Sequence, residues 1–151
     1  KQLSASKAKH HVTFAGYRKD IPKLMRSAFV GAIASTGWDS FTMSSIEMLA
    51  SGLPLIVSDL QGLKETIEPG KCGEYIKPGD STGLAKEILR YSQNPDRYSE
   101  HSEFARQRAI KYFSKSAQVQ RVSKHLIHTN SNKKVTSLTD GINSNAASED
   151  N

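Results

Sequence analysis

The sequence predicts an α/β domain in which a parallel sheet is flanked by crossover helices. Short apolar runs, several of them rich in β-branched residues, alternate along the chain with longer segments of helical periodicity. The longest apolar stretches, such as Leu53–Val57, are too short to cross a bilayer. The 151 residues include one cysteine, which excludes an internal disulfide framework.

Four segments are predicted as strands, because each is a short apolar run bounded by glycine, proline or polar turn residues. They are Val12–Ala15, Phe29–Ala34, Leu55–Val57 and Glu74–Ile76. Five helices are predicted from cap residues and apolar spacing, the first of them with Asp20 as its cap and Pro22 in its first turn. The other four span about Met43 to Ser51, Ser81–Tyr91, the segment from Asn94-Pro95 to about Tyr112, and Ser116–Ile127.

Composition divides the chain into a folded part and a polar end. Residues 1–127 are predicted to form the domain, and residues 128–151 to form a disordered tail rich in Ser, Asn, Thr, Asp and Lys. The net charge of +6 favours acidic partners such as nucleotides or phosphates. Nucleic-acid binding is not predicted, because the sequence has no basic block with interleaved aromatic residues. The single cysteine and the lack of a secretory-type leader predict a cytoplasmic protein, and its charge is compatible with peripheral contact at the inner face of a membrane.

The most informative block is residues 35–54, which follow a predicted buried strand and open a helix. Parallel α/β sheets place their ligand crevice at such a point, and the free N–H groups of a helix N-terminus favour phosphate. Ser44 and Glu47 have the spacing of a capping box, with Thr42 as the alternative cap. Asp39 and Glu47 flank this anion site, where carboxylates suit sugar hydroxyls. Spacing alone favours a simpler interpretation, in which Asp39 is a solvated loop acid and Glu47 is only half of a cap, because acid pairs at a given spacing are common.

Several motifs in order resemble the C-terminal half of retaining glycosyltransferases of family four, enzymes of the GT-B fold that use nucleotide-sugar donors. The resemblance covers about Val12 to Leu126. The matching motifs are E-x7-E at Asp39 and Glu47, E-A-M-A-S-G-x-P at Glu47–Pro54, G-G-x-x-E at Gln61–Glu65, G-x-L-V-x-P-x-D at Gly73–Asp80, and A-R…F-S at Ala105–Ser114. The resemblance implies a Rossmann-like sheet and the transfer of a hexose from a nucleoside diphosphate to an acceptor hydroxyl.

The resemblance also implies roles for individual residues. Asp39 would contact the transferred sugar near the reacting carbon and is the candidate catalytic residue, while Glu47 would hold the ribose hydroxyls. Glu65 would support the wall of the crevice. The other implied donor-binding residues are Gly16 and Tyr17 beside the base, and Ser40, Phe41, Thr42 and Met43 around the sugar and diphosphate.

The chain departs from the family pattern in ways that bear on activity. Asp39 stands where the family mostly has Glu, and Ser40 stands where Gly often follows. The basic G-R-x…K-G segment and the acceptor-binding N-terminal domain of the family have no counterpart in the chain. We therefore expect the donor-binding part of a two-domain enzyme, whose acceptor glycan, lipid or small molecule binds through that other domain. The alternatives are a non-catalytic nucleotide-sugar-binding or interaction module and, less well matched, a sugar-nucleotide epimerase on the same fold.

No metal or further cofactor is predicted. The chain lacks an Asp-x-Asp pair, and the resemblance implies metal-independent transfer in which helix termini and basic residues stabilise the leaving diphosphate. The adjacent His10 and His11 have no acid or cysteine partner at ligand spacing, and Cys72 is interpreted as structural. The remaining histidines, His101, His125 and His128, are predicted to be solvated on helix surfaces.

Two further features have two interpretations each. Trp38 is suited to stacking on a sugar or base, or to packing within its loop. Arg18 and Lys19 follow the segment predicted beside the base, where they either approach the phosphates or remain solvated. The last helix crosses back to the N-terminal domain in this family, so we expect its face from Val119 to Leu126 to be partly exposed.

Overall fold

The computed structural model describes residues 6–38 and 41–127, and the predicted tail lies outside this part of the chain. Three parallel strands form its sheet in the order β1–β2–β3, which confirms the α/β class. The strands are β1 Gly31–Ile33, β2 Leu55–Ser58 and β3 Gly73–Ile76. In the register, Leu55 lies opposite Gly31 on one side and opposite Gly73 on the other.

Helices precede, connect and follow the strands. A 3-10 turn at Lys7–His11 comes first, and a π-helical turn at Ala109–Phe113 separates the last two helices. The helices are α1 Ile21–Ser27, α2 Met43–Ala50, α3 Gln61–Lys64, α4 Ser81–Gln93, α5 Pro95–Arg108 and α6 at residues 115–127. Among the described residues, no helix is both long and apolar enough to span a bilayer.

The core lies on both faces of β2, all four residues of which are buried, as expected for the middle strand of a parallel sheet. Leu55 and Val57 pack on one face with Leu49 of α2 and Ala105 of α5. On the other face, Ile56 packs with apolar residues of β3 and α4. The sheet is therefore covered by α2 and α5 on one side and by α4 on the other.

Polar contacts fix α4 and α5 to each other and to the sheet. The guanidinium of Arg97 forms an ion pair with Glu74 of β3 and lies 5.2 Å from the centre of the Tyr91 ring. The Tyr91 hydroxyl is 2.8 Å from Nδ1 of His101. Burial raises the pKa of Tyr91 and lowers the pKa of His101, so both groups are neutral near pH 7.

Two sequence-based predictions on packing are wrong. Val12–Ala15 is not a strand, and its Val12 and Phe14 side chains are 45% and 83% exposed. Strand propensity alone does not form a strand, because the backbone also needs a neighbouring chain to pair with. His101 is not solvated but only 5% exposed, because its face of α5 packs against α4.

The predicted helix caps are only partly confirmed. Asp20 precedes α1 as expected, but its carboxylate accepts hydrogen bonds from Arg18 instead of from the helix amides. Thr42, and not Ser44, is the cap residue of α2, so no capping box forms with Glu47. Asp80, which was not predicted as a cap, caps α4 by accepting a hydrogen bond of 2.8 Å from the amide of Gly83.

Candidate functional site

The candidate site lies at the carboxyl edge of the sheet. The loop from β1 to α2 and the loop from β2 to α3 both leave the sheet there, because the strands are parallel. Between the loops is a pocket of about 890 Å³. Its lining residues are Gly37, Trp38 and Phe41 from the first loop, and Leu60, Gln61, Gly62 and Glu65 from the second loop and the turn that ends α3.

The N-terminus of α2 adjoins the first wall of this pocket. Phe41 lines the pocket and directly precedes Thr42, the cap residue. The Thr42 side chain makes no hydrogen bond to the helix amides, and its hydroxyl instead donates to Oγ of Ser45 at 3.1 Å. The first N–H groups of α2 therefore have no partner within the helix, and Thr42 does not cap them with its side chain. Together with the helix dipole, they suit an anionic group.

The second wall is fixed by contacts with β3 and with its own loop. The Tyr75 hydroxyl donates to the carbonyl of Lys64 at 2.9 Å. The Lys64 ammonium in turn forms an ion pair of 2.5 Å with Asp59. Burial raises the pKa of Tyr75, so the phenol stays protonated and remains a donor near neutral pH. The position of α3, and with it the position of Glu65, is therefore tied to the sheet.

The predicted site residues divide into three groups. Phe41 and Glu65 line the pocket, on opposite walls. Asp39 and Ser40, including the candidate catalytic acid, lie outside the described residues. The predicted residues that are described but do not line the pocket are Gly16, Tyr17, Thr42, Met43 and Glu47, and their roles stay predictions.

Gly16 and Tyr17 lie in the exposed segment before α1. Gly16 has a φ of +60°, a conformation that favours glycine, and the Tyr17 side chain is exposed. Arg18 is engaged with Asp20 through two hydrogen bonds of 2.8 and 2.6 Å. This contact holds the pKa of the Asp20 carboxyl below its usual range. The interpretation of Arg18 as a phosphate ligand therefore requires that this pair opens.

Several lining residues are not among the predicted site residues. Leu60, Gln61 and Gly62 carry no charge, and only Gln61 and Gly62 belong to the motif that ends at Glu65. They lie directly after a predicted strand, at the same edge of the sheet as residues 35–54, and this position in the sequence is what indicates that they line the pocket. Trp38 is fully exposed at the pocket, which argues against the interpretation that it packs within its loop.

Within residues 6–38 and 41–127, no group of three His, Cys, Asp or Glu side chains is arranged to hold a metal ion. His10 and His11 are exposed in the N-terminal 3-10 turn. Cys72 is buried, and burial raises the pKa of its thiol. This environment agrees with a structural role, because the reactive form of cysteine is the thiolate.

Comparison with known proteins assigns relatives to the chain. The family described as "Glycosyl transferases group 1" matches residues 1–94. A phosphatidyl-myo-inositol mannosyltransferase of Mycobacterium leprae is 33% identical over 86 residues, which are 56% of this chain and 23% of that protein. An MMP alpha-(1->4)-mannosyltransferase of Mycolicibacterium hassiacum is 29% identical over 97 residues, 64% of this chain and 23% of the relative.

Solved structures show the same similarity. The Anabaena protein Alr3699/HepE, crystallised in complex with UDP, superimposes with a TM-score of 0.79 at 26% identity. The match covers 84% of this chain and 35% of the Anabaena chain. The chain thus spans about a quarter of the two mannosyltransferases and about a third of the Anabaena protein.

Proposed function

Since the chain belongs to the group 1 glycosyl transferases, we propose that it is the donor-binding part of a retaining glycosyltransferase. The donor is a nucleoside-diphosphate sugar, and the product is an acceptor that carries the transferred hexose. The observation that carries the proposal is the pocket between Phe41 and Glu65, together with the adjoining N-terminus of α2, which Thr42 does not cap with its side chain. A similar protein was crystallised with UDP and with UDP-glucose, which makes UDP the first nucleotide to test.

The α2 N-terminus supplies the charge stabilisation that glycosyl transfer requires. During transfer, the acceptor oxygen bonds to the anomeric carbon, the bond from that carbon to the diphosphate oxygen breaks with its electron pair on that oxygen, and the acceptor hydroxyl proton passes to the departing diphosphate. Negative charge then grows on the departing diphosphate. The amides of Phe41–Met43 and the positive end of the helix dipole are proposed to bind this charge, without a metal.

The carboxylates are proposed to orient the two sugars of the donor. Glu47 lies on the second turn of α2 with an exposed side chain, and we assign it to the ribose hydroxyls. Asp39 is assigned to the transferred sugar, with Ser40 beside it, and Gly16 and Tyr17 to the base. Glu65 is assigned to the pocket wall. Each carboxylate accepts hydrogen bonds from sugar hydroxyls, and bonds of this charged kind are about twice as strong as neutral ones.

The acceptor side of the reaction is proposed to involve chain beyond these 151 residues. The relatives are several times longer than the matched region, so they have room for a second domain. A glycan, a lipid or a small molecule would be placed by that domain against the donor. Contact with a membrane surface is a further proposal, supported by the net charge of +6.

Calorimetric titration of the full 151-residue chain with UDP, GDP and ADP tests the proposal. We expect one nucleotide to bind and Glu47→Ala to weaken its binding about 10- to 100-fold, the value of hydrogen bonds to a charged group. Glu100→Ala is the matched control, because Glu100 is an exposed acid on α5 outside the pocket. If the chain is folded by circular dichroism and binds none of the three, the donor-site proposal is wrong and the interaction-module alternative is favoured.

A further inference from the structure

The end of α5 and the π-helical turn after it contact both walls of the pocket. We propose that Arg108 and Phe113 are positioning residues, which fix the distance between the wall that carries Phe41 and the wall that carries Glu65. The effect on ligand binding rests on the proposed function. The effect on pocket geometry does not.

Arg108 holds the wall that follows α3. Its Nε donates to the carbonyl of Thr66 at 2.9 Å, and its Nη2 donates to the carbonyl of Glu65 at 3.0 Å. Its Nη1 lies 3.6 Å from the carboxylate of Glu68. The planar guanidinium presents these donors in a fixed fork, so two successive carbonyls are held at once. Lysine cannot reproduce this geometry.

Phe113 holds the opposite wall. Its ring lies 5.5 Å from the ring of Phe41 in an edge-on arrangement, with 63° between the ring planes. Phe41 lines the pocket and precedes the cap of α2, so movement of this ring would displace the first amides of that helix. The two supports also touch each other, because the Arg108 guanidinium lies 5.8 Å from the centre of the Phe113 ring. The contacts of Phe41 with Phe113, of Phe113 with Arg108 and of Arg108 with Glu65 therefore connect the two walls of the pocket without a break.

The π-helical turn brings these two supports together. Residues five apart in an α-helix lie about 140° apart around its axis, since each residue advances about 100°. A π-helical turn closes its hydrogen bonds between residues five apart and brings them closer to the same side of the axis than an α-helix does. The turn at Ala109–Phe113 thus puts Phe113 on the same side as Arg108. A regular continuation of α5 would direct the phenylalanine away from Phe41.

The experiment compares two arginines of the same helix. Arg108→Met and Phe113→Leu remove the supports, while Phe113→Tyr keeps the aromatic ring. The matched control is Arg97→Met, because Arg97 also contacts an acid and an aromatic ring but does so with Glu74 and Tyr91, away from the pocket. Each variant is characterised by urea unfolding and by calorimetric titration with UDP.

The second readout measures the pocket directly. Nitroxide labels are attached at Ser44→Cys and Gln61→Cys, one on each side of the pocket. Pulsed electron paramagnetic resonance then gives the distribution of distances between the two labels. Both positions are exposed, whereas the native Cys72 is buried in the folded protein and remains unlabelled. The same four variants are made in this doubly labelled background.

We expect Arg108→Met and Phe113→Leu to weaken UDP binding about tenfold or more and to broaden the label distance, because binding sites depend on placement to within about 1 Å. Arg97→Met and Phe113→Tyr should leave both readouts near those of the wild type. The inference is overturned if Arg97→Met and Arg108→Met act equally, or if neither changes the distance distribution. If the wild-type chain binds no nucleotide, the proposed function fails, and the label distances still decide for or against the positioning role.

Discussion

Gly73 offers a sharp test of how tightly the sheet is packed. It is the first residue of β3 and lies opposite Leu55 of β2. A Cβ atom built on Gly73 would lie 2.1 Å from the carbonyl oxygen of Leu55 and 3.1 Å from Cδ1 of Ile67. The first of these neighbours is backbone and cannot rotate away. Gly73→Ala therefore forces β3 and β2 apart.

The size of the effect follows from these distances. Carbon and oxygen atoms approach to about 3.3 Å, so the strands must separate by about 1 Å at this point. Such a shift also strains the neighbouring hydrogen bond of 3.0 Å from the Leu55 amide to the Cys72 carbonyl. Overpacking of a core costs about 1–3 kcal/mol and more where the backbone must move. We expect Gly73→Ala to lower the free energy of unfolding by about 3 kcal/mol or more.

Gly31→Ala is the matched control on the neighbouring strand. Its Cβ would also be crowded, at 2.5 Å from Cδ2 of Leu55 and 2.7 Å from Sδ of Met48, but both atoms belong to side chains. Because a methionine adapts readily, we expect a loss of about 1–2 kcal/mol. Urea titrations followed by circular dichroism give both values. If Gly73→Ala lowers the free energy of unfolding no more than Gly31→Ala does, the inference that β2 and β3 are too close for a side chain at Gly73 is wrong.

The other predictions concern the buried pair Tyr91 and His101. Tyr91→Phe leaves Nδ1 of His101 without its hydroxyl partner. In urea titrations we expect this change to lower the free energy of unfolding by about 1–3 kcal/mol, and a loss below about 0.5 kcal/mol would argue against the hydrogen bond. Burial, with a smaller contribution from the charge of Arg97, lowers the pKa of His101 in the folded protein. The unfolded chain, with a histidine pKa of about 6.5, therefore binds the proton more readily, and stability should fall as the pH drops below about 6.5. The urea midpoint should fall between about pH 7.5 and 5.5, and it should fall less in His101→Gln. If the midpoint of that variant depends on pH as steeply as that of the wild type, other groups cause the pH dependence.

Three of the four predicted strands are confirmed, because local chemistry determines them. Leu55–Val57 is an apolar run after a proline, and with Ser58 it becomes the buried middle strand. The N-terminus of α4 was likewise accessible from sequence, since Asp80 caps it directly. Val12–Ala15 has an equally good strand composition and forms none. The difference lies in whether another strand is beside it, and composition carries no information about that.

The candidate site was predictable to the extent that it follows from strand order. The loops after β1 and β2 must meet at one edge of a parallel sheet, and Phe41 and Glu65 do lie on facing walls there. The supports behind the walls were not predictable in the same way. Arg108 contacts residues 42 and 43 positions away in sequence, and it acts on backbone carbonyls that any residue would present. The role of Phe113 depends on one irregular helical turn, which apolar spacing does not reveal.

The long-range contacts of α5 have a consequence for how the chain can change in length. Ser102 donates to the carbonyl of Gly52 across 50 positions, and Arg108 donates to that of Thr66 across 42 positions. The entropy lost on closing a loop grows only with the logarithm of its length, about 0.6 kcal/mol for each doubling. The exposed turn at residues 77–79 lies inside both loops. An inserted segment at that turn would lengthen both loops at small cost, so the chain can acquire new surface there while α5 continues to support the pocket.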